Sequence, residues 1–201
     1  MLRSRLSISA GFAAVAVAAV AVPAGISFAG TAEQSAAGKP ATTQEESFLG
    51  GKPTVPAELA PPAGNVVDSV FKARGVQIYG CQNAVWTLIE PAATLTGVRL
   101  SPVKKVTALH FRGPSWQSDQ DGSLLEGDGA SAVRAPSSTP NSIPQLRITA
   151  KLTRGDGVFG KVTYIQRLDT KGGIAPAGAC SGTATTAVPY TAVYRFFVAK
   201  A

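Results

Sequence analysis

The side chains with the greatest chemical potential lie in one short stretch of the sequence. His110 is the only histidine of the chain, Trp116 follows it, and Asp119 and Asp121 begin a cluster of acids. An imidazole can act as a general base, two carboxylates can hydrolyse a glycosidic bond, and an indole can stack on a sugar or another flat ligand. These four residues are our candidate ligand-binding residues, with Trp116 as the stacking residue and the aspartates as its polar partners; the alternative for Trp116 is a loop anchor packed on the core.

Catalytic and metal functions are less well supported by the same stretch. The sequence has no GxSxG motif, so a catalytic triad would depend on His110 alone, and an alternating strand pattern around His110 equally fits a hydrogen-bonded strand residue. The acids, which continue with Glu126 and Asp128, begin like a calcium loop, but Gly122 comes too early for an EF-hand. A solvated turn explains them as well, so we assign no catalytic residue and leave calcium binding open.

We expect no cofactor, and we assign no residue to a metal site. Gly155, Gly157 and Gly160 match GxGxxG, but a dinucleotide site needs that motif between a strand and a helix, and strands are predicted on both sides. A hairpin loop is the better interpretation. A histidine-rich zinc site is excluded by the single histidine, and Cys81 and Cys180 do not have zinc-motif spacing.

The two cysteines of the chain, Cys81 and Cys180, are predicted to form a disulfide. An even pair in an exported protein is usually oxidised. Closing so long a loop would stabilise the fold by about 4–5 kcal/mol in the chain-entropy picture.

The N-terminal region divides into two predicted segments before the folded domain. Residues 1–29 have a basic start at Arg3 and Arg5, an apolar run from Leu6 to Val22 and small residues before position 30, as in a secretory signal peptide. Residues 30–62 are rich in Ala, Gly, Thr, Pro and Glu and are predicted to form a flexible linker. We therefore expect a secreted β-domain over 63–201, outside the cytoplasm, with no membrane span after signal cleavage.

The net charge of +7 is spread along the chain, and Lys104 and Lys105 form the only adjacent basic pair. Nucleic-acid-binding proteins carry a clustered basic patch or a known module. We therefore expect no nucleic-acid partner.

Alternation of apolar and polar residues dominates the folded segment and predicts strands. The predicted strands are Leu146–Thr153, Tyr190–Val198, Val162–Leu168, Val76–Tyr79, Ala84–Glu90 and Val106–Phe111. No stretch has a convincing helical period, so the fold class is all-β, an antiparallel β-sandwich or barrel of short strands. A long loop is expected from 112 to 144.

Five motifs in order resemble a known family. They are Gly75-Val76-Gln77-Ile78-Tyr79-Gly80-Cys81, His110-Phe111-Arg112-Gly113-Pro114-Ser115-Trp116, Asp121-Gly122-Ser123, Val162-Thr163-Tyr164-Ile165-Gln166-Arg167-Leu168 with Gly172-Gly173, and Val188-Pro189-Tyr190-Thr191-Ala192. Together they resemble the secreted family called domain of unknown function 3455, over about residues 61–197. The resemblance implies a secreted domain without an established activity and supplies no catalytic residues.

The sequence thus favours a non-catalytic extracellular binding domain. Its partner would be a polysaccharide, a small apolar ligand, or a protein or other component of the cell surface. Two alternatives remain open: a cell-wall or matrix hydrolase that uses the acids or His110, and a structural coat or matrix protein. The last of these predicts no concave pocket.

Overall fold

The structure, a computed structural model, describes residues 40–201. The predicted signal peptide (1–29) and the first part of the predicted linker (30–39) lie outside the described residues. Within 40–201, a helix α1 and a short 3-10 helix precede eight strands. The helices are α1 (Ala41–Leu49) and the 3-10 helix (Ala57–Leu59), and the strands are β1 (Asn65–Gln82), β2 (Val85–Leu100), β3 (Val103–Phe111), β4 (Ser115–Ser118), β5 (Leu124–Ala135), β6 (Gln145–Arg154), β7 (Val162–Gly172) and β8 (Thr185–Ala199).

The eight strands form a closed barrel in sequence order. Each strand pairs antiparallel with the next, and β8 pairs with β1 from Asn65 opposite Ala199 to Gly80 opposite Thr185. The predicted all-β antiparallel fold is confirmed in its barrel form. Five of the six predicted strands fall within β1, β3, β6, β7 and β8, and the sixth, Ala84–Glu90, begins one residue before β2.

Several strands are much longer than predicted: β1 has 18 residues and β2 has 16. Inward glycines interrupt the apolar alternation of both strands without ending them. At Gly97 a side chain would place its Cβ 2.3 Å from the carbonyl oxygen of Val70. Glycine is therefore needed inside this barrel for close approach of neighbouring strands, not as a turn residue.

The predicted loop from 112 to 144 is wrong, because β4 and β5 lie within it. Small and polar residues made β5 look like a loop. One of them, Gly127, faces the barrel interior, where a Cβ would lie 2.4 Å from Cδ1 of Ile148 and 3.2 Å from the indole of Trp116. Gly127 is therefore a strand residue, and the barrel interior beside it is filled by Ile148 and Trp116.

Aromatic side chains fill one end of the barrel. The ring of Phe71 on β1 lies 5.4 Å from that of Phe196 on β8 and 5.9 Å from that of Phe159, centroid to centroid. Phe159, in the β6–β7 connection, is fully buried. This connection thus closes the barrel at the end where β6 finishes and β7 begins.

Residues 40–62, which we call the N-terminal strap, differ from the predicted flexible linker. Helix α1 ends at Gly50, whose φ of +85° lets its N–H reach the carbonyl of Glu46. Leu59 is fully buried outside the barrel, in a small cluster with Leu168 and Ala135. The strap is ordered because it covers apolar side chains on the outer face of the barrel wall.

A buried ion pair joins the strap to β8. Nε of Arg195 lies 2.6 Å from Oε1 of Glu45, and NH2 of the same guanidinium lies 3.0 Å from Oε2. NH1 of Arg195 donates to Oε1 of Gln166 at 3.0 Å. Only 4% of the Glu45 side chain and 14% of the Arg195 side chain are exposed, so both charges depend on this pairing.

The predicted disulfide between Cys81 and Cys180 is confirmed, with an S–S distance of 2.04 Å. It connects the end of β1 to the segment that leads into β8. The covalent bond therefore closes a loop that spans nearly the whole barrel.

Replacement of Glu45 by Gln should destabilise the protein by about 3 kcal/mol, because it leaves the Arg195 guanidinium buried without a counter-charge. Urea unfolding followed by circular dichroism measures the change. The matched control is Glu46→Gln, one residue further along α1 on its exposed side, which should have little effect. Equal stability of the two variants would contradict a structural role for the strap.

Candidate functional site

A cavity of about 500 Å³ opens at the end of the barrel where β1, β3, β5 and β7 finish. This is the end opposite Phe159. Apolar side chains such as Ile89, Pro91, Ile143 and Ile148 make up much of its wall, and a few polar and charged groups interrupt them. All eight strands or their connections contribute, so the closed sheet itself defines the shape of the cavity.

His110 and Trp116 lie side by side in the cavity wall. They are directly opposite each other in the β3–β4 pair, so both side chains point inward. Their rings are parallel, with an interplanar angle of 1° and centroids 4.4 Å apart. The structure thus brings these two predicted residues together in one wall.

His110 is held in its neutral form. It is 3% exposed, and its Nδ1 lies 2.8 Å from the carbonyl oxygen of Ser115. A carbonyl only accepts, so Nδ1 carries the proton and Nε2 is the basic nitrogen. Burial lowers the pKa of His110 to about 3, the Ser115 hydrogen bond opposes this change, and the charge of Arg167 adds to it.

Trp116 differs from the exposed stacking residue that its loop position suggested. It is 1% exposed, the imidazole of His110 covers one face of the indole, and the rings of Tyr194 and Phe196 contact it edge-on, each with its centroid 5.7 Å away. The residue thus packs in the core and reaches the cavity with part of its surface. Stacking of a sugar on an open indole face is not compatible with this arrangement.

The structure does not bring Asp119 and Asp121 to the cavity. They lie in the β4–β5 turn, where Asp119 accepts a hydrogen bond from Thr107 on the outer face of β3. Asp121 accepts from the hydroxyl of Ser123 at 2.6 Å and from the N–H of Val158 at 3.1 Å. Burial raises the pKa of Asp121, but these hydrogen bonds outweigh it and hold the pKa below its usual value. Asp121 therefore secures the connection that closes the far end of the barrel.

Three buried nitrogen atoms of the cavity wall lack hydrogen-bond partners among residues 40–201. They are Nε2 of Gln77, Nε1 of Trp116 and Nε of Arg167. Gln77 is only 2% exposed, and Trp116 is buried more deeply still. Buried donors in folded proteins are nearly always paired, so these three N–H groups are open positions for an acceptor; the hydroxyl of Tyr194 in the same wall also lacks a partner within that range.

The mouth of the cavity carries excess positive charge. Arg112, Arg134, Arg167 and Glu90 are the charged residues that line it. Nε of Arg112 pairs with Glu90 at 3.3 Å. Arg134 and Arg167 form no ion pair within the described chain and donate instead to the carbonyl oxygens of Ala132 and Pro144. One acid thus faces three arginines.

Sequence reasoning missed Gln77 and Arg167, although a signal for both was present. Gln77 continues the inward series that begins with Phe71 and Ala73, and Arg167 follows the fully buried Ile165 by two positions. A polar side chain on the inward face of a predicted strand is the pattern that would have identified them.

Residues 40–201 contain neither a metal-binding cluster nor a membrane-spanning helix. That part of the chain contains no group of three or more histidine, cysteine or acidic side chains placed to hold a metal ion. None of its helices has the length and apolarity needed to cross a bilayer.

A family model described as Protein of unknown function (DUF3455) matches residues 62–198. No curated protein and no solved structure matches the chain significantly.

The buried imidazole predicts a distinct pH response. His110 has a pKa of about 3 in the folded protein and an ordinary pKa, about 6.5, in the unfolded chain. Below pH 6.5 the unfolded chain therefore binds a proton at His110, whereas the folded protein does not. The free energy of unfolding should therefore fall by up to about 1.4 kcal/mol per pH unit below that point. Proton NMR of the untagged protein, which has one histidine, should show an imidazole that does not titrate near neutral pH. A titration midpoint near 6.5 in the folded protein would contradict the burial.

Proposed function

The chain belongs to the family described as Protein of unknown function (DUF3455), whose description assigns no activity, and we propose that it is an exported, non-catalytic binding domain. Its barrel takes up one small organic molecule in the cavity beside His110 and Trp116.

The cavity is the observation that carries this proposal. Its volume of about 500 Å³ lies within the range of small-molecule binding sites in proteins, and its mostly apolar wall with a few polar groups has the usual composition of such sites. The proposed ligand is therefore a small molecule that is mostly apolar and carries at least one acceptor atom.

The wall of the cavity supports a preformed site. Strand pairing continues around the whole barrel, so the cavity residues sit on paired strands and their short connections. The strap braces β8 from outside through Glu45 and Arg195. A site on rigid elements loses little conformational entropy when a ligand binds.

Two features support a location outside the cytoplasm. The first residues of the chain have the pattern of a secretory signal peptide, with Arg3 and Arg5 before an apolar run. The disulfide between Cys81 and Cys180 fits an oxidising compartment.

The alternative functions receive less support from the described residues. Hydrolysis by paired carboxylates would need acids beside the ligand, whereas Asp119 and Asp121 are engaged in the β4–β5 turn. A coat or matrix role predicted no concave pocket, and the cavity gives it no support.

The proposal predicts that the cavity binds at least one of two flat probes of the same shape, the anion 2-naphthoate or the neutral 2-naphthamide, with a stoichiometry of one. Replacement of Ala132, a cavity residue, by Trp should fill the cavity and weaken that binding by at least about tenfold. Isothermal titration calorimetry gives both affinity and stoichiometry.

The matched control is Ala130→Trp, because Ala130 lies two residues away on the same strand and is exposed. This variant should bind like the unchanged protein. If neither probe binds the unchanged protein at millimolar concentration, or if both Trp variants bind normally, the proposed function is wrong.

A further inference from the structure

We infer that the ligand is an organic carboxylate, with its flat apolar body in the cavity and its oxygen atoms held by Arg167, Gln77 and Trp116. This inference rests on the proposed function, because it names the chemical class of the ligand of the same cavity.

The charge of the cavity favours an anion. Three arginines and one glutamate line it, and His110 is neutral, so the wall carries a net charge of +2. Glu90 is already paired with Arg112. The Arg167 guanidinium is partly withdrawn from water, which is costly without a counter-charge, and a carboxylate would supply one.

The unpartnered donors favour a group that only accepts. An indole N–H and a guanidinium N–H can donate but never accept, and the amide nitrogen of Gln77 also donates. Nε1 of Trp116, Nε of Arg167 and Nε2 of Gln77 are all buried without a partner in the described part of the protein. A carboxylate offers two oxygen atoms and about four acceptor sites, which is enough for all three donors.

Arg167 is the central residue of this proposed site. Its NH2 donates to the carbonyl of Pro144 at 2.9 Å, which fixes the direction of the guanidinium, while its Nε has no partner among residues 40–201. Its positive charge reaches several cavity groups, since it lowers the pKa of His110 and opposes the rise that burial causes in the pKa of Tyr79 and Tyr190. An anion at this point would lie beside the Arg167 guanidinium.

The apolar wall favours an organic acid over an inorganic anion. Ile89, Pro91 and Ile148 line the space beside the donors, and burial of a ligand's apolar surface against them is favourable. An inorganic phosphate would engage the charges alone and leave this wall in contact with water.

Isothermal titration calorimetry with 2-naphthoate and 2-naphthamide tests the inference, because the probes differ mainly in charge. The unchanged protein should bind the carboxylate about tenfold more tightly than the amide, or better. In Arg167→Met the two affinities should become nearly equal, and in Arg167→Lys part of the preference should remain. Arg74→Met is the matched control, because it removes the same charge from an exposed position on β1, and it should keep the full preference.

Each outcome of this test decides the inference. Equal binding of both probes to the unchanged protein overturns the carboxylate inference but leaves the cavity proposal standing, whereas binding of neither probe overturns both. A preference unchanged in Arg167→Met overturns the role of Arg167. If inorganic phosphate displaces 2-naphthoate at equal concentration, the organic class is wrong. The thermal midpoint of Arg167→Met should change little, since Met removes the buried Nε, unpartnered within residues 40–201, as well as the exposed hydrogen bond to Pro144; a large fall would make Arg167 a structural residue and overturn its assignment.

Discussion

The pairing of β1 with β8 as well as with β2 is the constraint on which the rest of the structure depends. It turns a series of hairpins into a closed sheet without free edges. Closure gives each strand one face toward the interior and one face toward the outside. The interior can then hold an aromatic core at one end and a cavity at the other, and the outer face of β7 and β8 can receive the strap. The disulfide adds a covalent link between the chain segments that β1–β8 pairing already brings together.

The sequence predicted the features of the fold that depend on neighbouring residues. The alternation in Leu146–Thr153 and Tyr190–Val198 is local, and it identified strands of the barrel correctly. The cysteine pair was also predictable, because only one pairing is possible. The strap was not, since the order of its helix depends on Arg195, which lies 150 positions from Glu45 along the chain. A composition poor in large apolar residues does not reveal a distant partner of this kind.

The candidate site was predictable only in part, for a geometric reason. His110 and Trp116 are separated by a tight turn, so their proximity follows from the hairpin. Asp119 and Asp121 are just as close in sequence, but β4 carries the chain away from the cavity before they occur. Gln77 and Arg167 come together only through the closed sheet, which the sequence could not distinguish from a sandwich. Closeness in sequence therefore predicted closeness in space across one tight turn, but not for residues further along the chain.

Tyr194 and Arg195 are consecutive residues of β8, and they serve opposite sides of the wall. Tyr194 lines the cavity and touches Trp116, whereas Arg195 holds the strap through Glu45. Because adjacent side chains of a strand point in opposite directions, any shift of this strand moves both contacts together. The helix outside the barrel and the cavity inside it are thus tied to the same peptide unit of β8.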